Sequence, residues 1–208
     1  MKDKTEDTYR TIARPTEQVL YRDRKSKFYG IAFPINSEED VKEFLETLRK
    51  EHHNATHICY AWQTGLKEPL YRTNDDGEPS HSAGSPILGQ IRAFDLTNVL
   101  VAVVRYYGGT KLGVGGLINA YRTAARLALE NASVVVGTLK TNYWLSFEYP
   151  QLDAVMRLLK RYDIPVLHQE MSLSCSLHIS VRLQQAEEVR EQLASIKAVK
   201  VTDEKVRN

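Results

Sequence analysis

Two short stretches carry residue types that can do chemistry. In "NDDGEPSH", Asp75, Asp76, Glu78 and His81 fall within seven residues, and Arg72 lies just upstream. Clustered carboxylates beside a histidine can hold a hard cation or exchange protons with a substrate. The same letters also spell a tight turn: aspartates bond nearby amides, Gly77 accepts positive φ, and Pro79 stiffens the exit. In "RYYGGTKLGVGGLINAY" (105–121), Gly108, Gly109, Gly113, Gly115 and Gly116 surround Lys111 and lead into a helical pattern. Bare amides just ahead of a helix start favour anions. Gly115 and Gly116 are expected to need positive φ or close packing. His57 and Cys59 sit two apart on one strand. They would act as a nucleophile pair only if the thiol pKa were lowered, and lining a core or groove is the plainer role for both.

The glycine stretch matches neither familiar phosphate grip. Counting from Gly108, the P-loop spacing puts Val114 and Gly115 where Lys and Ser/Thr belong. The dinucleotide pattern starting at Gly113 ends on Ile118 instead of glycine. What distinguishes the stretch is charge. Residues 96–129 contain no acidic side chain but hold Arg105, Lys111, Arg122 and Arg126, with Asn119 three residues before Arg122. Arg122 and Arg126 share a helical face. A glycine loop, a helix start and a basic face together suit a nucleic-acid backbone and offer no base-specific readout.

These residues must be positioned by a chain of 208 residues, 42% hydrophobic and 26% charged, with net charge +2. That composition fits a globular protein, and the bulk charge gives no strong pull toward polyanions. The first twenty residues lack an apolar signal core, and the run "VLVAVV" is far too short to span a bilayer. Cys59 and Cys175 match no metal spacing and form no disulfide framework. A cytoplasmic protein is expected, with no membrane contact and no resident metal or cofactor.

The pattern divides near "GTLK". Residues 1–138 read as extended stretches at 8–14, 17–24 and 27–35, a helix over 37–52 with Ser37 as N-cap and Asp40 closing a box, and strands at 56–64 and 69–73. There follow a helix entered near Pro86, a buried strand at 98–107, a helix marked by Leu117, Ala120, Tyr121, Ala124, Leu127 and Ala128, and a short strand in "SVVVG". Residues 139–208 alternate cleanly as strand (142–149), helix (150–162), strand (164–171), strand (172–183), helix (184–196) and strand (198–204). In the fourth element Leu173, Cys175, Leu177, Ile179, Val181 and Leu183 all face one way. The order βαββαβ is that of a ferredoxin-like sandwich. The fold class is α+β.

The segments "KSKF" (25–28), "ATHICYAW" (55–62), "NDDGEPSHSAGSPIL" (74–88) and "VVRYYGGTKLGVGGLINAY" (103–121) resemble the Impact family over nearly the whole chain. The resemblance implies an N-terminal βαβ domain of the type seen in a ribosomal protein and in domain IV of elongation factor G. It also implies a C-terminal domain like domain V of that factor. Both likenesses imply RNA or the ribosome as partner. Eukaryotic members regulate translation by competing for the activator of a starvation-responsive kinase of an initiation factor. That activator is absent from bacteria, so this regulatory role does not carry over directly, and a translation-regulatory protein partner stays open. The chain departs from the family at His81 and Ser82, where Gly-Thr is common, and at Ser85, where a basic residue is common. Three readings stay open. The first is a translation-associated regulator that binds RNA or the ribosome. The second is a hydrolase or other enzyme sited between "NDDGEPSH" and the glycine loop. The third is a protein-interaction module.

Overall fold

The computed structural model describes residues 7–66, 68–172 and 174–204. Leu173, expected on the inner face of its strand, lies outside the described residues. The chain divides into two compact units: Tyr9–Gly137, and Thr138 onward together with Asp7 and Thr8.

The larger unit is built on an antiparallel sheet in the order β2-β3-β6-β4-β5. Its strands are β2 (Val19–Asp23), β3 (Ser26–Pro34), β4 (His57–Thr64), β5 (Leu70–Asn74) and β6 (Val99–Tyr106). Helix α1 (Glu38–Glu51) covers one face, where Val41, Leu45 and Leu48 meet Leu100, Ala102 and Val104 of β6. Helices α2 (Gly84–Ala93) and α3 (Gly113–Glu130) cover the other, where Ile87, Ile91, Tyr121 and Ala124 meet Val99, Val101 and Val103. The central strand is therefore buried on both sides, which is why "VLVAVV" shows no polar alternation. Strands β1 (Thr8–Ile12) and β7 (Val134–Thr138) form a separate two-stranded ribbon.

Local chemistry sets the helix boundaries. The capping box at α1 forms: Ser37 Oγ accepts from the Asp40 amide, and Asp40 accepts from the Ser37 amide. Two helices begin earlier than the apolar periodicity suggests. Helix α2 starts at Gly84, two residues before Pro86, because Asp75 reaches back to its first turn. Asp75 Oδ1 accepts from the Ala83 and Gly84 amides at 3.0 and 2.8 Å. Helix α3 starts at Gly113, so Gly113, Gly115 and Gly116 form its first turn and are not a loop ahead of it.

The smaller unit contains β8 (Lys140–Glu148), α4 (Leu152–Arg161), β9 (Val166–Glu170), β10 (Ser174–Arg182), α5 (Ala186–Ser195) and β11 (Lys200–Asp203). Its sheet order is β11-β8-β10-β9, with antiparallel pairing throughout. Strand alternation puts Leu145, Phe147, Cys175, Leu177, Ile179 and Val181 into one core with Val155, Leu159, Val189 and Leu193 of the helices. Trp144 and His178 face the other way, directly paired across the strands with their rings stacked at 4.5 Å.

Candidate functional site

In the larger unit a cleft of about 480 Å³ opens between the start of β4, the turn at Glu78 and Pro79, the end of β6 and the start of α3. The turn following β5 and the glycine-rich segment therefore meet, although they lie about thirty residues apart in the chain. Pro79, Tyr107, Leu112, Val114 and Leu117 supply apolar walls, and His57, Glu78, Arg105 and Lys111 supply the charge.

A buried polar network forms the floor. Arg105 Nη1 donates to Glu78 Oε1, and both side chains are almost fully enclosed, at 6% and 4% exposure. Tyr121 Oη donates to the same oxygen at 2.7 Å. Cys59 Sγ, with one proton to donate, lies 3.0 Å from the Asp75 carbonyl and 3.3 Å from Tyr121 Oη. Arg105 sits over the Phe28 and Tyr107 rings at 5.4 and 5.5 Å from their centroids. Its Nε is buried and has no hydrogen-bond partner among the described residues.

His57 is oriented by its backbone acceptor. Its Nδ1 lies 2.7 Å from the Asp76 carbonyl, which can only accept, so Nδ1 carries a proton. That leaves Nε2 turned to the Glu78 side, 3.9 Å from Oε1. Burial pushes the Cys59 thiol well above its ordinary value, and burial likewise pushes the Tyr121 phenol up. A thiol held in its protonated form and spent as a donor is not a nucleophile. Cys59 belongs to the core at 0% exposure, and of the two only His57 lines the cleft.

Of the acidic cluster, only Glu78 reaches the cleft. Asp75 caps α2 and also accepts from the His81 amide at 2.9 Å. Asp76, at φ 44°, accepts from the Ile58 amide at 2.6 Å and holds the turn against β4. His81 is exposed at φ 61° beside Ser85. Arg72 pairs in register with Trp62, whose side chain belongs to the core on the α1 face, so it lies across the sheet from the cleft. Among the described residues, no three His, Cys, Asp or Glu side chains are grouped to hold a metal ion.

The basic residues also separate. Arg105 is buried against Glu78 and is not on the face that carries the others. The local sequence around it is acid-free, but the chain brings a carboxylate from 27 residues upstream. Asn119, Arg122 and Arg126 are exposed on α3 and continue, at spacings of four, three and four, the row begun by Gly115. Arg126 also holds Glu130 at 3.0 Å. Lys111 is exposed at the cleft rim. Leu112, at the N-cap position of α3, makes no side-chain cap, so no side chain of the cap occupies the first-turn amides.

The glycines differ in what holds them: Gly109 and Gly113 take positive φ, while Gly108 and Gly115 contrast in packing. At Gly108 a Cβ would lie 2.1 Å from the Lys25 carbonyl carbon, so close packing demands glycine there. Gly115 has neither positive φ nor any atom within 4 Å of a built Cβ, so neither strain nor crowding requires it. The expectation for Gly115 is corrected accordingly. Pattern reading also missed two residues: Tyr107, 46% exposed on the cleft wall, and the hydroxyl of Tyr121, which registered only as one more apolar mark on α3.

Residues 24–129 match the Impact N-terminal domain, a span that holds every wall of the cleft. The chain is 33% identical over 173 residues to the IMPACT family member YigZ of Escherichia coli K12, covering 82% of this chain and 85% of that protein. It is 48% identical over 109 residues to an IMPACT family member of Thermus thermophilus, covering 52% and 58%. A crystal structure of a hypothetical protein is similar at a TM-score of 0.72 and 31% identity, over 94% of this chain and 96% of that one. With a domain match across half its length and a relative 33% identical over 82% of it, the chain belongs to the Impact family.

Proposed function

We propose that this protein is a cytoplasmic, translation-associated regulator that binds RNA or the ribosome through the start and the solvent face of α3. One observation carries the reading: the exposed row Gly115, Asn119, Arg122 and Arg126 continues from a first turn left uncapped by its own side chains, with Lys111 beside it. Free amides and the helix dipole favour phosphate at that end, and the arginines extend the positive field along about three turns. The translation link follows from the resemblance to the family's eukaryotic members. No helix among the described residues is long and apolar enough to cross a membrane.

The division after Gly137 supports a domain boundary between residues 1–138 and 139–208. The order β11-β8-β10-β9, with both helices packed in a single core, supports a ferredoxin-like C-terminal domain. An N-terminal domain of the elongation factor G domain IV type is carried by the resemblance.

The test is the variant Lys111→Gln, Arg122→Gln, Arg126→Gln. Each phosphate contact removed lowers the slope of log K against log salt by about 0.7 to 0.9. The variant should bind a structured RNA more weakly, with the slope flatter by roughly two to three units and circular dichroism unchanged. Unchanged affinity and slope would overturn the reading.

A second reading, an enzyme acting in the cleft, is favoured by one specific feature. His57 is fixed by the Asp76 carbonyl with Nε2 directed toward the cleft side, the usual arrangement of a general acid–base. His57→Gln would remove a turnover under this reading and leave RNA affinity intact under the first.

A further inference from the structure

We infer that the cleft receives a single unpaired nucleotide of the bound RNA, with its base against Tyr107 and its phosphate at the first turn of α3. The inference rests on the RNA reading above and adds what that surface selects.

The volume, about 480 Å³, lies within the range of small-ligand sites. Its composition fits a base better than a bare backbone. Pro79, Leu112, Val114 and Leu117 make an apolar slot that phosphates alone would not use. Tyr107 stands in its wall about half exposed, at 46%. Every base has a π face, so an exposed tyrosine stacks on it with little regard to sequence. Arg105 lies 5.5 Å from the Tyr107 centroid, so a cation already backs the ring.

Two independent observations point to a ligand at the polar end. The first-turn amides of α3 carry no side-chain cap from Leu112, with Lys111 beside them at the rim. Arg105 lines the same cleft at 5% exposure, and its Nε has no partner among the described residues. A buried donor left unpaired is costly, and an acceptor on the edge of an inserted base would satisfy it. A paired base cannot enter: its edge is engaged and its faces are stacked. The site therefore selects bulges, loops or single-stranded ends, where bases splay out at small cost.

The test compares two RNA hairpins that differ by one unpaired nucleotide in the stem, using the full chain. Wild type should bind the bulged hairpin about tenfold or more tightly, the scale of one base–aromatic stack. Tyr107→Ala should bring that preference to near unity while keeping affinity for the paired stem. Tyr107→Phe should retain the preference. Equal binding of both hairpins by wild type, or a preference that survives Tyr107→Ala, overturns the assignment of the cleft and leaves the RNA reading standing. No binding to either hairpin overturns both. Free nucleoside 5′-monophosphates form the last arm. Weak competition against the bulged hairpin supports the inference, and affinity equal to that of the RNA overturns it in favour of a free nucleotide as the occupant.

Discussion

Tyr121 Oη donates to Glu78 Oε1 at 2.7 Å, joining the middle of α3 to the turn after β5 across 43 residues of sequence. The phenol is fully buried, and its ring meets Phe28 edge-on at 5.3 Å. Glu78 thus receives two donors on one oxygen, Tyr121 from the helix and Arg105 from β6. This network fixes the floor of the cleft to three separate elements.

Tyr121→Phe keeps the ring and removes the donor. A hydrogen bond to a charged group contributes about 1.5–3 kcal/mol. The variant should lose stability in that range by urea unfolding, with the m-value unchanged. A loss below about 0.5 kcal/mol would show that the hydroxyl does not hold Glu78 in solution.

The ion pair itself calls for a double-mutant cycle. Glu78→Gln leaves the Arg105 guanidinium buried without its counter-charge, which costs about 3–5 kcal/mol. Arg105→Met leaves the carboxylate in the same position. The double variant Glu78→Gln, Arg105→Met should lose much less than the sum, because neither charge remains stranded. Additive losses would mean that the two side chains are not coupled.

That pair also marks the limit of what the chain reveals before it folds. The helices and the strands with one covered face are legible because each repeats at a single period, whereas β6, covered on both faces, is legible only as an unbroken apolar run. Ser37 and Asp40 act three residues apart, so the cap of α1 could be read locally. Asp75 acts on amides eight and nine residues on, so the start of α2 could not. Residues 96–129 contain no acid, which groups Arg105 with Lys111, Arg122 and Arg126, but its carboxylate comes from outside that window. The glycines read as one loop, yet they serve close packing at Gly108 and an open helix turn at Gly115. Nothing in the letters distinguishes those two uses.

Asp7 makes acid stability measurable. Arg182 donates to its two oxygens at 3.2 and 3.0 Å, and these bonds hold the Asp7 carboxyl below its ordinary value. A carboxyl depressed in the folded state contributes stability above its unfolded value of about 4, and that contribution is lost as pH falls through the folded value. Asp7→Asn should be less stable than wild type near pH 7, and the two stabilities should converge below about pH 4. Urea unfolding across that range reads the gap directly, and a constant gap would mean that the pair contributes nothing through ionisation.

Gly115→Ala separates packing from recognition. Glycine within a helix is less favourable than alanine by about 1 kcal/mol, and a Cβ at position 115 would meet no atom within 4 Å. By the chain's own energetics the substitution should therefore stabilise α3, by up to about 1 kcal/mol, and raise the thermal midpoint. Gly115 also heads the exposed row that Arg122 and Arg126 complete, so a methyl group there stands where a phosphate would approach the first-turn amides. RNA affinity should fall while stability rises. Gly108→Ala is the contrasting control, because its Cβ would lie 2.1 Å from the Lys25 carbonyl carbon and the fold itself should suffer. A Gly115→Ala protein that is more stable and binds RNA as before would show that the bare backbone at the start of α3 is not part of the contact surface.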